Sequence, residues 1–154
     1  MVATGTQLAP VLLVEDNPGD VEITRRAFTK ADIRNPLHVV RDGQEAMEFL
    51  EHRGSYAGGE KVAPRPGLIL LDLNLPRLDG REVLRRIKND PHLSPIPVVV
   101  LTTSNDEEDV LSCYDAGANT YVTKPIAFDG FLKTVRTIDR YWFSTAEIPH
   151  AREN

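Results

Sequence analysis

Four short stretches of this chain each end in a side chain that could do chemistry with the others. Val11-Leu12-Leu13-Val14 runs into Glu15-Asp16, and Leu68-Ile69-Leu70-Leu71 into Asp72. Pro97-Val98-Val99-Val100-Leu101 runs into Thr102, and Thr120-Tyr121-Val122-Thr123 into Lys124-Pro125. A carboxylate set in an apolar run, as Asp72 is, is costly to bury unless it is paired or bound to a cation. Glu15, Asp16 and Asp72 brought together repel and call for such an ion. All-oxygen ligands, with no suitably placed histidine and Cys113 as the sole cysteine, suit Mg²⁺ or Mn²⁺ retaining several waters. An ion held in this way takes phosphate oxygens as its remaining ligands. Lys124 adds a second positive charge and Thr102 a hydroxyl donor, beside backbone amides near residues 73 and 74. The set suits covalent phosphoryl transfer to a carboxylate nucleophile, Asp72, with the protein supplying positioning and charge neutralisation.

Each piece also has a plain explanation. An acidic pair after a strand can simply begin a helix, Asp72 can cap a turn, and a lysine before proline is usually a solvated loop residue. Those explanations work singly and fail for the joint arrangement, which depends on the elements that carry the residues. Short apolar runs bounded by turn signals read as strands buried on both faces. Five are expected: Val11–Val14, Leu37–Val40, the run into Asp72, Pro97–Leu101, and a weaker Thr120–Thr123.

A helix follows each strand. Asn17-Pro18 suits an N-cap and first helical position, with Asp20 favourable to the helix N-terminus and Val21, Thr24, Phe28 and Ala31 facing inward. Asp42-Gly43-Gln44-Glu45 and Asp79-Gly80-Arg81-Glu82 have capping-box spacing. Ser104-Asn105-Asp106-Glu107 begins a fourth helix with an expected inner face of Val110, Leu111 and Tyr114. A last helix is expected over about 128–143, with Phe128, Leu132, Val135, Ile138 and Trp142 in one stripe. The Gly- and Pro-rich stretch 53–67 reads as a long surface loop.

Strict alternation argues an α/β fold with a parallel sheet, helices on both faces and right-handed crossovers. In such sheets ligands bind outside the carboxyl ends of the strands, where strand order reverses. Parallel strands deliver the four chemical groups to that one edge.

Composition narrows the classes. At 154 residues, 41% hydrophobic and 27% charged, the chain reads as one globular domain. The expected division is a flexible segment 1–8, a domain over 9–144 and a tail over 145–154. A net charge of −5 without a block of Lys or Arg argues against nucleic acid or an anionic membrane as a direct partner. No run nears the roughly 20 apolar residues that span a bilayer, and residues 1–7 lack the features of a secretion signal. The cytoplasm is the expected compartment.

Glu15-Asp16, Asp72 with Pro76 and the Asp79-Gly80 turn, Thr102, and Lys124-Pro125, in that order, resemble the receiver domain of two-component response regulators. The resemblance covers about residues 10–143 and implies a flavodoxin-like fold of five helices and five strands ordered 2-1-3-4-5. It implies that Asp72 accepts a phosphoryl group from a phosphohistidine on a sensor histidine kinase or phosphotransfer protein. It further implies that Asp16, Asp72 and the Asn74 backbone carbonyl ligate Mg²⁺ directly and that Glu15 acts through water. Lys124 would pair with the phosphoryl group, while Thr102 and Tyr121 act as switch residues that remodel the face of the last two helices. Where the family often has Asp, this chain has Glu15. The long loop, the Asn17-Pro18-Gly19-Asp20 turn and Tyr141-Trp142-Phe143 look like single-domain receivers paired with bacterial phytochrome kinases.

Two alternatives remain beside a phosphoacceptor switch. One is a receiver-like protein-binding module that takes no phosphate. The other is a metal-dependent phosphohydrolase, which would need a general acid two residues past the nucleophile, where Asn74 stands and cannot serve. Output is expected through a downstream protein target, since only one helix and a tail follow Lys124-Pro125. Three consecutive aromatics cannot share one helix face. Tyr141, Trp142 and Phe143 therefore suggest a homodimer through the last two helices and fifth strand. His38, His52, His92 and His150 are scattered, and none is assigned to the site.

Overall fold

The computed structural model describes residues 8–149. The strands are β1 (Val11–Val14), β2 (Leu37–Val40), β3 (Leu68–Leu71), β4 (Val98–Thr102) and β5 (Thr120–Thr123). They form one parallel sheet in the order β2-β1-β3-β4-β5, the expected flavodoxin-like order. The helices are α1 (Pro18–Lys30), α2 (Gly43–Glu51), α3 (Gly80–Asn89), α4 (Glu107–Asp115) and α5 (Phe128–Ile138). Most of the expected segment 1–8 and half of the tail 145–154 lie outside the described residues.

Every residue of β1, β3 and β4 is buried, because helices cover both faces of the sheet. Strand alternation divides the core in two. Leu68 and Leu70 pack with Val21 and Phe28 of α1 and Phe131 and Val135 of α5. Ile69 and Leu71 pack with Met47 of α2, Leu84 and Ile87 of α3 and Cys113 of α4. The caps follow the side-chain chemistry: Asn17, Asp42, Asp79 and Asp106 each accept a backbone N–H from the first turn of α1 to α4.

One expectation needs correction. The inner face of α4 is Cys113, with Val110 and Asp109 only half-buried; Leu111 and Tyr114 are 63% and 47% exposed. This short helix covers only the β5 end of the sheet, so it buries a narrow strip. Tyr114 instead leans over the edge strand, where its hydroxyl accepts the Tyr121 N–H at 3.1 Å and blunts an otherwise open edge. Ala31 caps α1 and packs half-buried on the core as expected, with Ala27 fully buried beside it.

The last helix keeps its expected stripe, with Phe128, Leu132, Val135, Ile138 and Trp142 all packed on one core. It is α-helical to Ile138 and continues as a π-helical turn over Asp139–Phe143. The wider turn changes the phase, so Tyr141 is 53% exposed while Trp142 and Phe143 pack partly on the core beside α5.

The 53–67 stretch is a surface loop, as expected, and it is pinned at several points. It contains short 3₁₀ turns at Gly54–Tyr56 and Gly59–Lys61. Tyr56 packs edge-on against Phe49 at 5.0 Å between centroids and donates to Glu45 at 2.6 Å. Ala63 is buried, and its carbonyl lies 2.8 Å from His52 Nε2.

One glycine decides how the reactive loop sits. Gly80 opens α3, and a Cβ there would fall 2.2 Å from the Asp72 carbonyl oxygen and 2.6 Å from Leu73 Cα. Its N–H donates to the Leu73 carbonyl at 2.9 Å. Gly80→Ala is therefore expected to displace the 72–74 loop or the helix start and to destabilise the fold by about 1–3 kcal/mol, as overpacking does. Urea denaturation of the two proteins checks this; equal midpoints would refute it.

Candidate functional site

The carboxyl ends of β1, β3, β4 and β5 share one rim, at the point where the chain passes from β1 out to β2 and back to β3. Glu15 follows β1 and is 2% exposed, Asp72 follows β3 and is 8% exposed, and Thr102 ends β4 fully buried. Asp16 lies beside Glu15 and is exposed. Glu15, Asp16 and Asp72 each bring a carboxylate oxygen within 4.8 Å of the others.

Lys124 closes the group from the end of β5. Its ammonium donates to Glu15, to Asp72 Oδ2 at 3.1 Å and to Asp20 Oδ2 at 3.0 Å. Its backbone N–H donates to the Thr102 carbonyl at 2.7 Å, which ties the ammonium to the end of β4. Asp72 Oδ1 accepts the Asn74 N–H at 3.3 Å, and Glu15 Oε2 accepts the Asn17 N–H at 3.2 Å. Tyr121 is half-buried and donates from its hydroxyl to the Ser104 carbonyl at 2.8 Å. Tyr141, Trp142 and Phe143 sit beyond α5 and take no part in these contacts.

Asp20 was not foreseen as a member of this group. An acidic residue in a helix's first turn reads as a partner for the helix dipole, which masks a second role. The available signal was its position four residues past Asp16, at the same rim.

Burial dominates the electrostatics. It pushes the Glu15 carboxyl up to about 7, more than the hydrogen bond and charge of Lys124 bring it back down; nearby Asp72 adds to the rise. Burial also pulls the Lys124 ammonium down, but Glu15, Asp72 and Asp20 outweigh it and hold its pKa above the ordinary lysine value. In the folded state Glu15 therefore binds its proton more tightly than an ordinary glutamate at 4.5. The resulting stabilisation is full below that lower value and is lost as pH rises through about 7. In metal-free protein, Glu15→Gln is expected to be more stable than wild type at pH 8, with the advantage gone by pH 5. Paired thermal melts across that range would show a constant offset if Glu15 did not titrate there.

The group holds more negative than positive charge, with four carboxylates against one ammonium. Its donors are oxygens only, which fits Mg²⁺ or Mn²⁺. The Thr102 hydroxyl is buried and has no hydrogen-bond partner. A native fold rarely leaves such a group unmatched without a functional reason, and this one lies on the rim where a phosphoryl oxygen could accept from it.

Comparison with known proteins agrees with this geometry. Residues 11–136 match the family described as the response regulator receiver domain. Response regulator Rcp1 of Synechocystis is 45% identical over 141 residues, covering 92% of this chain and 93% of that protein. The crystal structure of its Mn²⁺-bound form superposes with a TM-score of 0.84 at 44% identity, covering 92% of this chain and 99% of that one. The phosphorylated cyanobacterial phytochrome response regulator RcpA superposes with a TM-score of 0.85 at 44% identity, covering 93% and 99%. Among the described residues, no helix is long and apolar enough to cross a membrane. With its motif residues gathered on one rim and its match running through five strands and five helices, the chain belongs to the response regulator receiver domain family.

Proposed function

We propose that this protein is a single-domain response regulator whose Asp72 accepts a phosphoryl group from a phosphohistidine of a sensor histidine kinase or phosphotransfer protein. The observation that carries the reading is the Lys124 ammonium 3.1 Å from Asp72, on the rim where the buried Thr102 hydroxyl is left without a partner. An Asp72 carboxylate oxygen forms the new bond to phosphorus as the phosphorus–nitrogen bond to the donor histidine breaks, and the departing imidazole nitrogen keeps the electron pair and takes up a proton. Lys124 turns part of its charge from Glu15 and Asp20 to the incoming oxygens. Thr102 donates to another of them, and Tyr121 follows the movement of the β4 end. Asp16, Asp72 and the Asn74 carbonyl would hold Mg²⁺ or Mn²⁺, with Glu15 acting through water. When bound, the ion supplies charge neutralisation for the phosphoryl oxygens.

The protein catalyses only its own phosphorylation and slow dephosphorylation, in the cytoplasm, and passes the signal to a downstream protein through the face of α4, β5 and α5. Neither nucleic acid nor membrane is a direct partner. A phytochrome-type kinase is the favoured donor, supported by the similarity to Rcp1 and to RcpA, which is described as a phytochrome response regulator. Incubation of the wild type with acetyl phosphate and Mg²⁺, followed by intact mass measurement, tests the central claim. A phosphoryl-sized gain that requires the metal is expected. An unchanged mass under conditions where Mg²⁺ binding is detectable would favour a module that binds proteins without taking phosphate.

The same face supports homodimerisation. Val122, Ile138, Tyr141 and Trp142 line an open apolar groove beside the edge strand β5, and exposed aromatics of this kind mark contact surfaces. Sedimentation equilibrium at micromolar concentration is expected to give a dimer for the wild type and a weakened one for Trp142→Ala. A monomeric wild type would dismiss the dimer and leave phosphoryl acceptance untouched.

A further inference from the structure

Arg81 stands outside the reactive group, on the first turn of α3, directly after the glycine packed on the Asp72 loop. Its guanidinium makes a two-pronged contact with Asp109 of α4, Nε to Oδ1 at 2.9 Å and Nη2 to Oδ2 at 2.8 Å. Its remaining nitrogen, Nη1, reaches both oxygens of the helix cap Asp79 at 3.2 Å. Asp109 Oδ2 also accepts the Ser104 hydroxyl at 2.7 Å. That hydroxyl oxygen accepts the Asp106 N–H at 3.3 Å, while the Ser104 carbonyl receives Tyr121. The Arg81 fork and the Ser104 hydroxyl hold the Asp109 carboxyl below its ordinary range.

These bonds form one connected path. It starts at Leu73, one residue past Asp72, whose carbonyl receives the Gly80 N–H. It passes through Arg81 and Asp109 to Ser104, two residues past Thr102. Planar two-pronged contacts of this kind fix direction as well as distance. Without Arg81, α3 would lose its charged tie to Asp109 of α4, and through Asp109 its link to Ser104 of the β4–α4 loop.

We propose that Arg81 is a positioning residue for phosphoryl acceptance: acting through Asp109 and Ser104, it keys the β4–α4 loop to α3 and so sets the placement of the Thr102 hydroxyl at the rim. The inference rests on Asp72 being the phosphoacceptor. Arg81 touches neither phosphoryl donor nor acceptor, so its loss is expected to change rate rather than metal binding. By the usual size of coupling between packed elements, Arg81→Ala and Asp109→Ala should each slow phosphorylation by about ten-fold. The double variant should be no slower than either single one, because both break the same link.

The test is the rate of phosphoryl gain from acetyl phosphate at saturating Mg²⁺, followed by intact mass well below the melting temperature. Arg81→Lys, which keeps the charge and loses the fork, should fall between wild type and Arg81→Ala. In a Thr102→Ala background, adding Arg81→Ala should change nothing further, and the Mg²⁺ dissociation constant should stay within about two-fold of wild type throughout. A merely structural role would lower the melting temperature and leave these rates alone. The proposal is overturned if the single variants run at the wild-type rate, if their effects multiply, or if the slowing persists without the Thr102 hydroxyl. A wild type that takes no phosphoryl group would instead overturn the phosphoacceptor reading, and this proposal with it.

Discussion

Asp72→Asn is expected to abolish phosphoryl gain from acetyl phosphate completely while leaving the fold intact. The amide is nearly the same size, so the contacts around β3 survive, including the Asn74 N–H donated to Oδ1 at 3.3 Å. What disappears is the nucleophile. An amide oxygen carries no full charge, and its attack on phosphorus would leave a cationic product, so the barrier rises beyond what the neighbouring groups offset. Lys124 still has Glu15 and Asp20 as partners. Stability should therefore change by less than about 1 kcal/mol, within the range of one net hydrogen bond. Intact mass and urea denaturation on one preparation separate the two effects. A persisting mass gain would move the acceptor elsewhere, and a collapsed fold would mean that the Asp72 charge is structural.

Lys124→Met is expected to produce the largest loss of stability among changes at this rim. The lysine side chain is 7% exposed, against 2% for Glu15 and 10% for Asp72, so solvent cannot replace it. Methionine has nearly the same reach but leaves these buried carboxylates facing one another without a counter-charge. Removing one partner of a buried ion pair typically costs roughly 3–5 kcal/mol. Two rescues follow from the same cause. Mg²⁺ should stabilise Lys124→Met more than it stabilises wild type, because the ion then supplies the only positive charge at the site. Adding Glu15→Gln should restore much of the loss, because it removes the most buried of the uncompensated acids. Denaturation midpoints with Mg²⁺ or with EDTA check both. Equal metal stabilisation of the two proteins would show that Lys124 does not neutralise this cluster.

Much of the fold was legible in one dimension. Fully buried β1, β3 and β4 read as continuous apolar runs because helices cover both of their faces. The capping aspartates marked where α2 and α3 begin because their side chains satisfy first-turn amides wherever the rest of the helix packs. Legibility failed where neighbours decide. Leu111 and Tyr114 have the spacing of an inner face, yet α4 has only the edge of the sheet to cover, and Tyr114 goes to β5 instead. The spacing placed Trp142 inward, as found, but which of its neighbours faces out was decided by the π-helical turn after Ile138, which leaves Tyr141 exposed.

The site divides along the same line. Glu15, Asp16, Asp72, Thr102 and Lys124 could be named from sequence because each follows an apolar run, and parallel strands bring such ends to one rim. That much depends only on the pattern within each segment. Which oxygens the Lys124 ammonium touches, that Asp20 joins them, that the Thr102 hydroxyl is left without a partner, and that Arg81 ties α3 to α4 were decided by the tertiary structure alone. These are contacts between residues 28 to 109 positions apart, together with the degree of burial that raises the Glu15 carboxyl to about 7. Local preference carries no information about such distances; they follow from how the helices settle on the sheet.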